Sequence, residues 1–249
     1  MLDARIKLIN TIMYITFLLL INHFAGYALA ALFVAFIIKL AKIPAKLLFR
    51  GLRPVIFILM IAALINLFFT HGENVLFQLG PIRITLEGVL LALQMGIRLT
   101  LLIIGSGILT LTTSPIELTD GIEFLLKPLK KIKVPAHDIA MMMTIALRFI
   151  PTLADEMDKI MKAQKARGAD FETGGLMKRA KSLLPILIPL FVSAFKRADE
   201  LATAMEARCY RGDINRTKMK TMKMTAKDWL GFFVMAAFGA VVVLTRFIL

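Results

Sequence analysis

Residues 8–38 read LINTIMYITFLLLINHFAGYALAALFVAFII, and none of them is charged. An α-helix needs about 20 apolar residues to cross a bilayer. The run is long for one span and short for two full ones. Asn22, His23 and Gly26 stand at its middle, so a tight turn is expected there, with short spans at 8–21 and 24–41. A greasy hairpin of this kind belongs in lipid, and that sets the fold class: all-α, a polytopic membrane protein.

Working outward, the next segment holds Lys39, Lys42, Lys46, Arg50 and Arg53, broken by Pro44 and Pro54. Short basic loops stay on the cytoplasmic side. A third span is expected at 55–70 and a fourth at 88–111. Between them residues 71–87 carry Glu73, Glu87 and a single base, Arg83, which reads as an outside loop with a hairpin or turn at Gly80-Pro81. A fifth span occupies 229–249, opened by the interfacial Trp229. Two spans before the 39–53 loop put the N-terminus inside, and the fifth span puts the C-terminus outside. Every short basic segment then falls on the cytoplasmic face.

Composition agrees. Of 249 residues 58% are hydrophobic, and the mean hydropathy is +0.76, beyond the range of ordinary soluble domains. Lys and Arg total 31 against 17 Asp and Glu. In a membrane protein this excess reflects cytoplasmic loops; nucleic-acid binding would call for a basic patch interleaved with aromatics, which is missing. Cys209 is the single cysteine, so no intrachain disulfide and no cysteine metal cluster can form. His23, His71 and His137 have no metal-ligand spacing, and there is no Gly-rich phosphate loop. No catalytic residue, metal or cofactor is expected.

The chain therefore divides into membrane helices 1–4 (residues 1–112), a cytoplasmic helical coupling domain (113–225) and membrane helix 5 (226–249). The middle part opens with Ser114-Pro115-Ile116-Glu117, a capping box. A basic, proline-broken turn follows at Lys127, Lys130, Lys131 and Lys133, suited either to anionic headgroups or to solvent. Asp138 is placed as the cap of a helix over 139–150, and Pro151 as the point where it bends or restarts. Asp155, Glu156 and Asp158 then come early and Lys159, Lys162, Lys165 and Arg167 late, as a helix dipole favours. A second long helix is expected over 176–211.

Both helices end on the same words: Ala163-Gln-Lys-Ala166-Arg167-Gly168 and Ala204-Met-Glu-Ala207-Arg208-Cys209. One arginine at a helix C-terminus is usually a dipole partner in water. A duplicated one, with small alanines around it, resembles a docking device made twice, whose guanidinium fork can enter a groove and bind a carboxylate or carbonyls. Two equal plugs imply two similar sockets. Two other places were singled out as contacts with a partner subunit or within the bundle. One is Arg98, costly at membrane depth; the other is the series Met141-Met142-Met143.

Several segments resemble a known family: Gly51-Leu-Arg-Pro-Val-Ile-Phe57, Leu64-Ile-Asn-Leu-Phe-Phe-Thr70, Thr113-Ser-Pro-Ile-Glu-Leu118, Ala146-Leu-Arg-Phe-Ile-Pro-Thr152, Lys162-Ala-Gln-Lys-Ala-Arg-Gly-Ala169 and Ala204-Met-Glu-Ala-Arg-Cys-Tyr-Arg-Gly212. The chain resembles the T component of energy-coupling factor (ECF) transporters, the transmembrane coupling subunit of a class of ABC importers. The resemblance implies that Ala166-Arg167-Gly168 and Ala207-Arg208-Cys209 are paired motifs docking into two cytosolic ABC ATPases. It also implies a separate membrane S component that binds a vitamin or metal ion, and a place in the cell membrane of a prokaryote. Cys209 departs from the glycine common at its position. The chain begins at what resembles the family's Leu-Asp-x-Arg segment, Leu2-Asp3-Ala4-Arg5, so an absent or truncated N-terminal anchor is expected. The rival readings are a conventional ABC permease, with one coupling segment and its own substrate site, and a membrane-embedded enzyme.

Overall fold

In the computed structural model, residues 2–70, 74–79, 82–171, 175–212 and 224–248 are described. The elements run α1 (Ala4–Leu20), α2 (Phe24–Ala41), α3 (Ala45–Leu52), α4 (Ile56–Phe69), β1 (Val75–Leu79), β2 (Ile82–Thr85), α5 (Leu86–Thr112), α6 (Pro115–Leu126), a 3₁₀ helix (Lys127–Ile132), α7 (Ala136–Ala166), α8 (Leu176–Ser182), α9 (Leu184–Ala207) and α10 (Ala226–Ile248). The protein is an all-α polytopic membrane protein. Among the described residues its only strands are β1 and β2, an antiparallel hairpin. The hairpin or turn expected at Gly80-Pro81 has β1 and β2 as its flanks, while residues 80–81 and 213–223 lie outside the described residues.

The chain forms two compact units, residues 1–121 with 222–249, and residues 122–221. In the first, Asp3 caps α1 by accepting from the Arg5 N–H at 3.1 Å. Thr85 caps α5 by accepting from the Gly88 N–H at 3.2 Å. The core joins Tyr14 and Leu18 of α1, Tyr27, Ala30 and Val34 of α2, Leu101 of α5, and Met235, Phe238 and Val242 of α10. Two glycines let helices touch. A Cβ on Gly105 would overlap the Tyr14 ring, and one on Gly239 the Phe17 ring. Outward faces are apolar: Leu32, Phe36, Phe57 and Phe69 are all well exposed. Such a surface is satisfied by acyl chains, while the helical backbone bonds itself.

Among the described residues three helices are long and apolar enough to cross a membrane: α2, α5 and residues 226–245 of α10. A fourth arises if α3 and α4, bent by 55° across a short break, count as one broken span. Five spans are expected, and the helices at the first and third are shorter than the ~20 residues a crossing helix needs. The expected third span is a 14-residue α4, because Pro54 in the break lacks an N–H and separates it from α3. The first is α1, of 17 residues, about 25 Å at the helical rise.

Arg98 lies inside this unit. Its Nε donates to the Tyr27 hydroxyl at 2.8 Å and a terminal nitrogen donates to the Ile21 carbonyl at 2.7 Å. One turn earlier Gln94 donates to the Asn22 carbonyl at 3.1 Å. The two side chains therefore satisfy the carbonyls of the α1–α2 turn, which lipid could not. Of the two contacts expected for Arg98, with a partner subunit or within the bundle, these hydrogen bonds are of the second kind.

Candidate functional site

The second unit carries both arginine motifs. α7 is one helix from Ala136, and Pro135 stands at its N-cap position; neither a cap at Asp138 nor a restart at Pro151 occurs. A proline inside a helix forfeits one hydrogen bond, here to the Leu147 carbonyl. The turns on either side carry α7 across that gap. Asp155, Glu156 and Asp158 are consequently in mid-helix and cannot act on the N-terminal dipole, which reaches only the first turn. The expected helix over 176–211 is divided at Leu183 into α8 and α9, with Pro185 in the first turn of α9. That is where a proline costs a helix no bond. Asp199 and Glu200 are thus also interior to their helix.

The two C-termini are the same structure. At α7, Arg167 is the last residue with near-helical dihedrals, φ −85° and ψ 5°. Gly168 then turns left-handed, φ +88°. The Gly168 N–H donates to the Lys165 carbonyl and the Ala169 N–H to the Gln164 carbonyl, each at 3.0 Å. At α9, Arg208 has φ −93° and ψ 12°, and Cys209 turns left-handed at φ 56°. The Cys209 N–H donates to the Glu206 carbonyl at 2.8 Å and the Tyr210 N–H to the Met205 carbonyl at 3.1 Å. Both are Schellman motifs, in which two crossing bonds satisfy the last carbonyls. Each presents its arginine at the closing turn of a helix. Ala166, Arg167, Gly168, Ala207, Arg208 and Cys209 are all exposed. Among the described residues neither guanidinium has a hydrogen-bond or ion-pair partner.

α7 and α9 pack on each other, and a polar clasp marks where. Ser193 donates to Glu156 at 2.5 Å, and Arg197 donates to the other carboxylate oxygen at 3.2 Å. The Ser193 hydroxyl, and after it the Arg197 guanidinium, hold Glu156 below the ordinary carboxylate range against the opposing pull of desolvation. Glu156 and Arg167 are eleven positions apart, and so are Arg197 and Arg208. Each arginine therefore stands about 16 Å along its helix from the clasp. The sequence reading missed this clasp. Its signal was Ser193, the one hydroxyl in the apolar run 183–195, lying one turn before Arg197.

The three methionines do not form one surface. Consecutive helical residues lie about 100° apart. Met142 is exposed and its neighbours are half-buried; the Met141 sulfur accepts from the Tyr210 hydroxyl at 2.9 Å. Tyr210 follows the second motif directly, so Met141 steadies that helix end. No group of three or more histidine, cysteine or acidic residues able to hold a metal ion occurs among the described residues.

A family model described as a cobalt transport protein, CbiQ, matches residues 1–220. A curated relative from Ruminiclostridium cellulolyticum is 54% identical over 246 residues, 99% of this chain and 92% of its own length. One from Thermosediminibacter oceani is 51% identical over 99% of this chain and 93% of its own. One from Bacillus subtilis is 47% identical over 91% and 86%. Each is named energy-coupling factor transporter transmembrane protein EcfT. The chain belongs to the CbiQ family of transmembrane T components. Within that family's frame the paired helix ends are the part of this chain furthest from lipid chemistry: polar, exposed and built twice.

Proposed function

We propose that this chain is the coupling subunit of an ECF-type ABC importer, joining two cytosolic ATPases to a separate membrane S component that binds a vitamin or metal ion. Arg167 and Arg208 each enter a groove on one ATPase. The observation that carries this reading is the identity of the two helix ends: one cap geometry, one exposed arginine without a partner, made twice in one chain. A permease with a single coupling segment has no use for the second copy. The chain itself performs no catalysis. With α1, α2, the α3–α4 pair, α5 and α10 taken as five spans, the distribution of basic loops supports a cytoplasmic N-terminus and an outside C-terminus.

The mechanism is transmission of movement. ATP draws the two ATPases together, and the arginine ends move with them. Since α7 and α9 are clasped at Glu156, the ends can approach only by turning about that contact. A rotation of 10° moves an arginine by about 3 Å at the arm length given by helical rise. The apolar surface beyond the clasp, with Ile188, Phe191, Val192 and Phe195 exposed, carries that rotation to the S component.

The test is co-purification of the ATPases with Arg167→Ala, Arg208→Ala and the double variant, alongside substrate uptake in cells. Loss of one charge-assisted arginine contact costs roughly 1.5–3 kcal/mol, so each single change weakens docking about 10- to 100-fold and the double change abolishes it. ATPases that stay bound to the double variant, with uptake intact, would overturn the assignment. The purified chain alone, given ATP, is expected to release no phosphate.

A further inference from the structure

Between α2 and α4 the chain sets five cations, and no acid occurs anywhere from residue 4 to residue 72. Lys39, Lys42, Lys46, Arg50 and Arg53 are all exposed. Among the described residues none of their side chains has a hydrogen-bond or ion-pair partner. The last three recur at i, i+4 and i+7, along one side of α3; Arg53 keeps helical dihedrals, φ −50° and ψ −48°. Leu48 and Leu52 occupy the opposite side, each 8% exposed, where α3 packs on α5. The cationic side is therefore turned away from α5. Leu47 and Phe49 flank it, 42% and 68% exposed.

The level of α3 follows from its contact with α5. That helix has 27 residues, about 40 Å at the helical rise, which is the thickness of the hydrocarbon core with both headgroup layers. A Cβ on Gly107 would stand 3.9 Å from a Leu48 methyl. Gly107 is five positions from the α5 end at Thr112, about 8 Å along the axis. α3 thus meets α5 at the depth of one headgroup layer. Its direction suits that layer too. It leaves the line of α4 by 55°, so its eight residues advance only about 7 Å along α4 while running about 10 Å sideways.

We propose that α3 lies in the headgroup layer and binds anionic phospholipid through Lys46, Arg50 and Arg53, with Leu47 and Phe49 set among the upper acyl carbons. A row of cations with no acid nearby in the chain calls for an external anion. Hydrocarbon on both flanks of the row calls for an anion carried on a lipid. A soluble acidic partner would leave Phe49 in water. Lys39 and Lys42, at the end of α2, add to the same positive field. The bound headgroups give the broken α3–α4 segment a fixed foot at the membrane surface.

The experiment titrates the purified full-length chain in neutral detergent with dioleoyl phosphatidylglycerol, dioleoyl phosphatidylcholine and a hexaglutamate peptide, at matched ionic strength. Native mass spectrometry reads the bound species. Phosphatidylglycerol should bind in preference to phosphatidylcholine and to the peptide. Each basic residue near anionic lipid contributes about a fivefold gain in affinity, so Lys46→Gln/Arg50→Gln/Arg53→Gln should lower it on the order of a hundredfold. A charge-matched control, Lys159→Gln/Lys162→Gln/Lys196→Gln, should retain it. So should Arg50→Lys/Arg53→Lys, because the attraction follows charge and not the guanidinium fork. Phe49→Ser should weaken phosphatidylglycerol about tenfold and leave the peptide unchanged. Equal loss in both triple variants would overturn the site. Hexaglutamate binding as tightly as phosphatidylglycerol, or a Phe49→Ser variant with unchanged lipid affinity, would overturn the lipid as its occupant.

Discussion

The closing turns of α7 and α9 share a hydrogen-bond pattern and differ at the residue that must turn left-handed. α7 has Gly168 there, at φ +88°; α9 has Cys209, at φ 56°. For a residue with a Cβ that conformation costs roughly 1–2 kcal/mol; for glycine it costs almost nothing. The same shape is thus held in a relaxed form at one end and a strained form at the other. At α9 the hydroxyl of Tyr210 on the Met141 sulfur adds a tether that Ala169, at the corresponding position of the α7 end, has no hydroxyl to make. What is preserved across the two copies is the exposure of the arginine and its place in the cap, while the means of holding it differ.

The largest effects should come from the arginines themselves. If the two ends are equivalent plugs, Arg167→Ala and Arg208→Ala should weaken ATPase co-purification to within about threefold of each other, against the 10- to 100-fold loss expected for each charge-assisted contact. A tenfold inequality would break the equivalence. Arg→Lys at either position keeps the charge and loses the fork, and should impair docking by an intermediate amount.

Next in size is the cap residue. Gly168→Ala should weaken the α7 end by about 1 kcal/mol and Cys209→Gly should strengthen the α9 end by a similar amount. Hydrogen exchange at the Ala169 and Tyr210 amides, the two that close the motifs, reads this directly. Opposite signs are expected; equal signs would mean that the tertiary setting and not the cap sets the local stability.

The smallest effect acts on both ends together. Glu156 is held below its ordinary value, so the clasp contributes fully above the usual carboxylate pKa. That contribution fades as pH falls through the depressed one. The distance between spin labels on Ala166→Cys and the native Cys209 should be narrow at neutral pH and broaden only on acidification below the ordinary carboxylate range. Glu156→Gln should show the broad distribution at every pH. A narrow distribution in that variant would remove the clasp from the mechanism.

Much of this was legible because its causes are local. The turn at residues 21–23 follows from Asn22 and His23 in an uncharged run, and α2 begins and ends as read. Ser114 and Glu117 form the expected reciprocal cap, each side chain accepting from the other's N–H at 3.3 Å. The arginine motifs were visible as repeated words. What was hidden depends on distant partners. Arg98 meets a hydroxyl 71 residues away, and Glu156 meets Ser193 and Arg197 on another helix. Pro151 looked like a boundary because it forfeits a hydrogen bond, yet the helical turns on either side carry α7 across it. Thr225-Ala-Lys-Asp228 is a further capping pattern that was legible and passed unread.

That last pattern bears on how the protein is made. Asp228 accepts from the Thr225 N–H and hydroxyl, both at 2.7 Å, and with its other oxygen from the Asp3 N–H, also at 2.7 Å. Helix α1 is thus fastened by a carboxylate on α10, 225 positions later in the chain. Met235, Phe238 and Val242, which fill the core against Tyr14 and Leu18, arrive with it. Through most of synthesis α1 waits in the bilayer with that side open, and the membrane unit closes only when α10 is released.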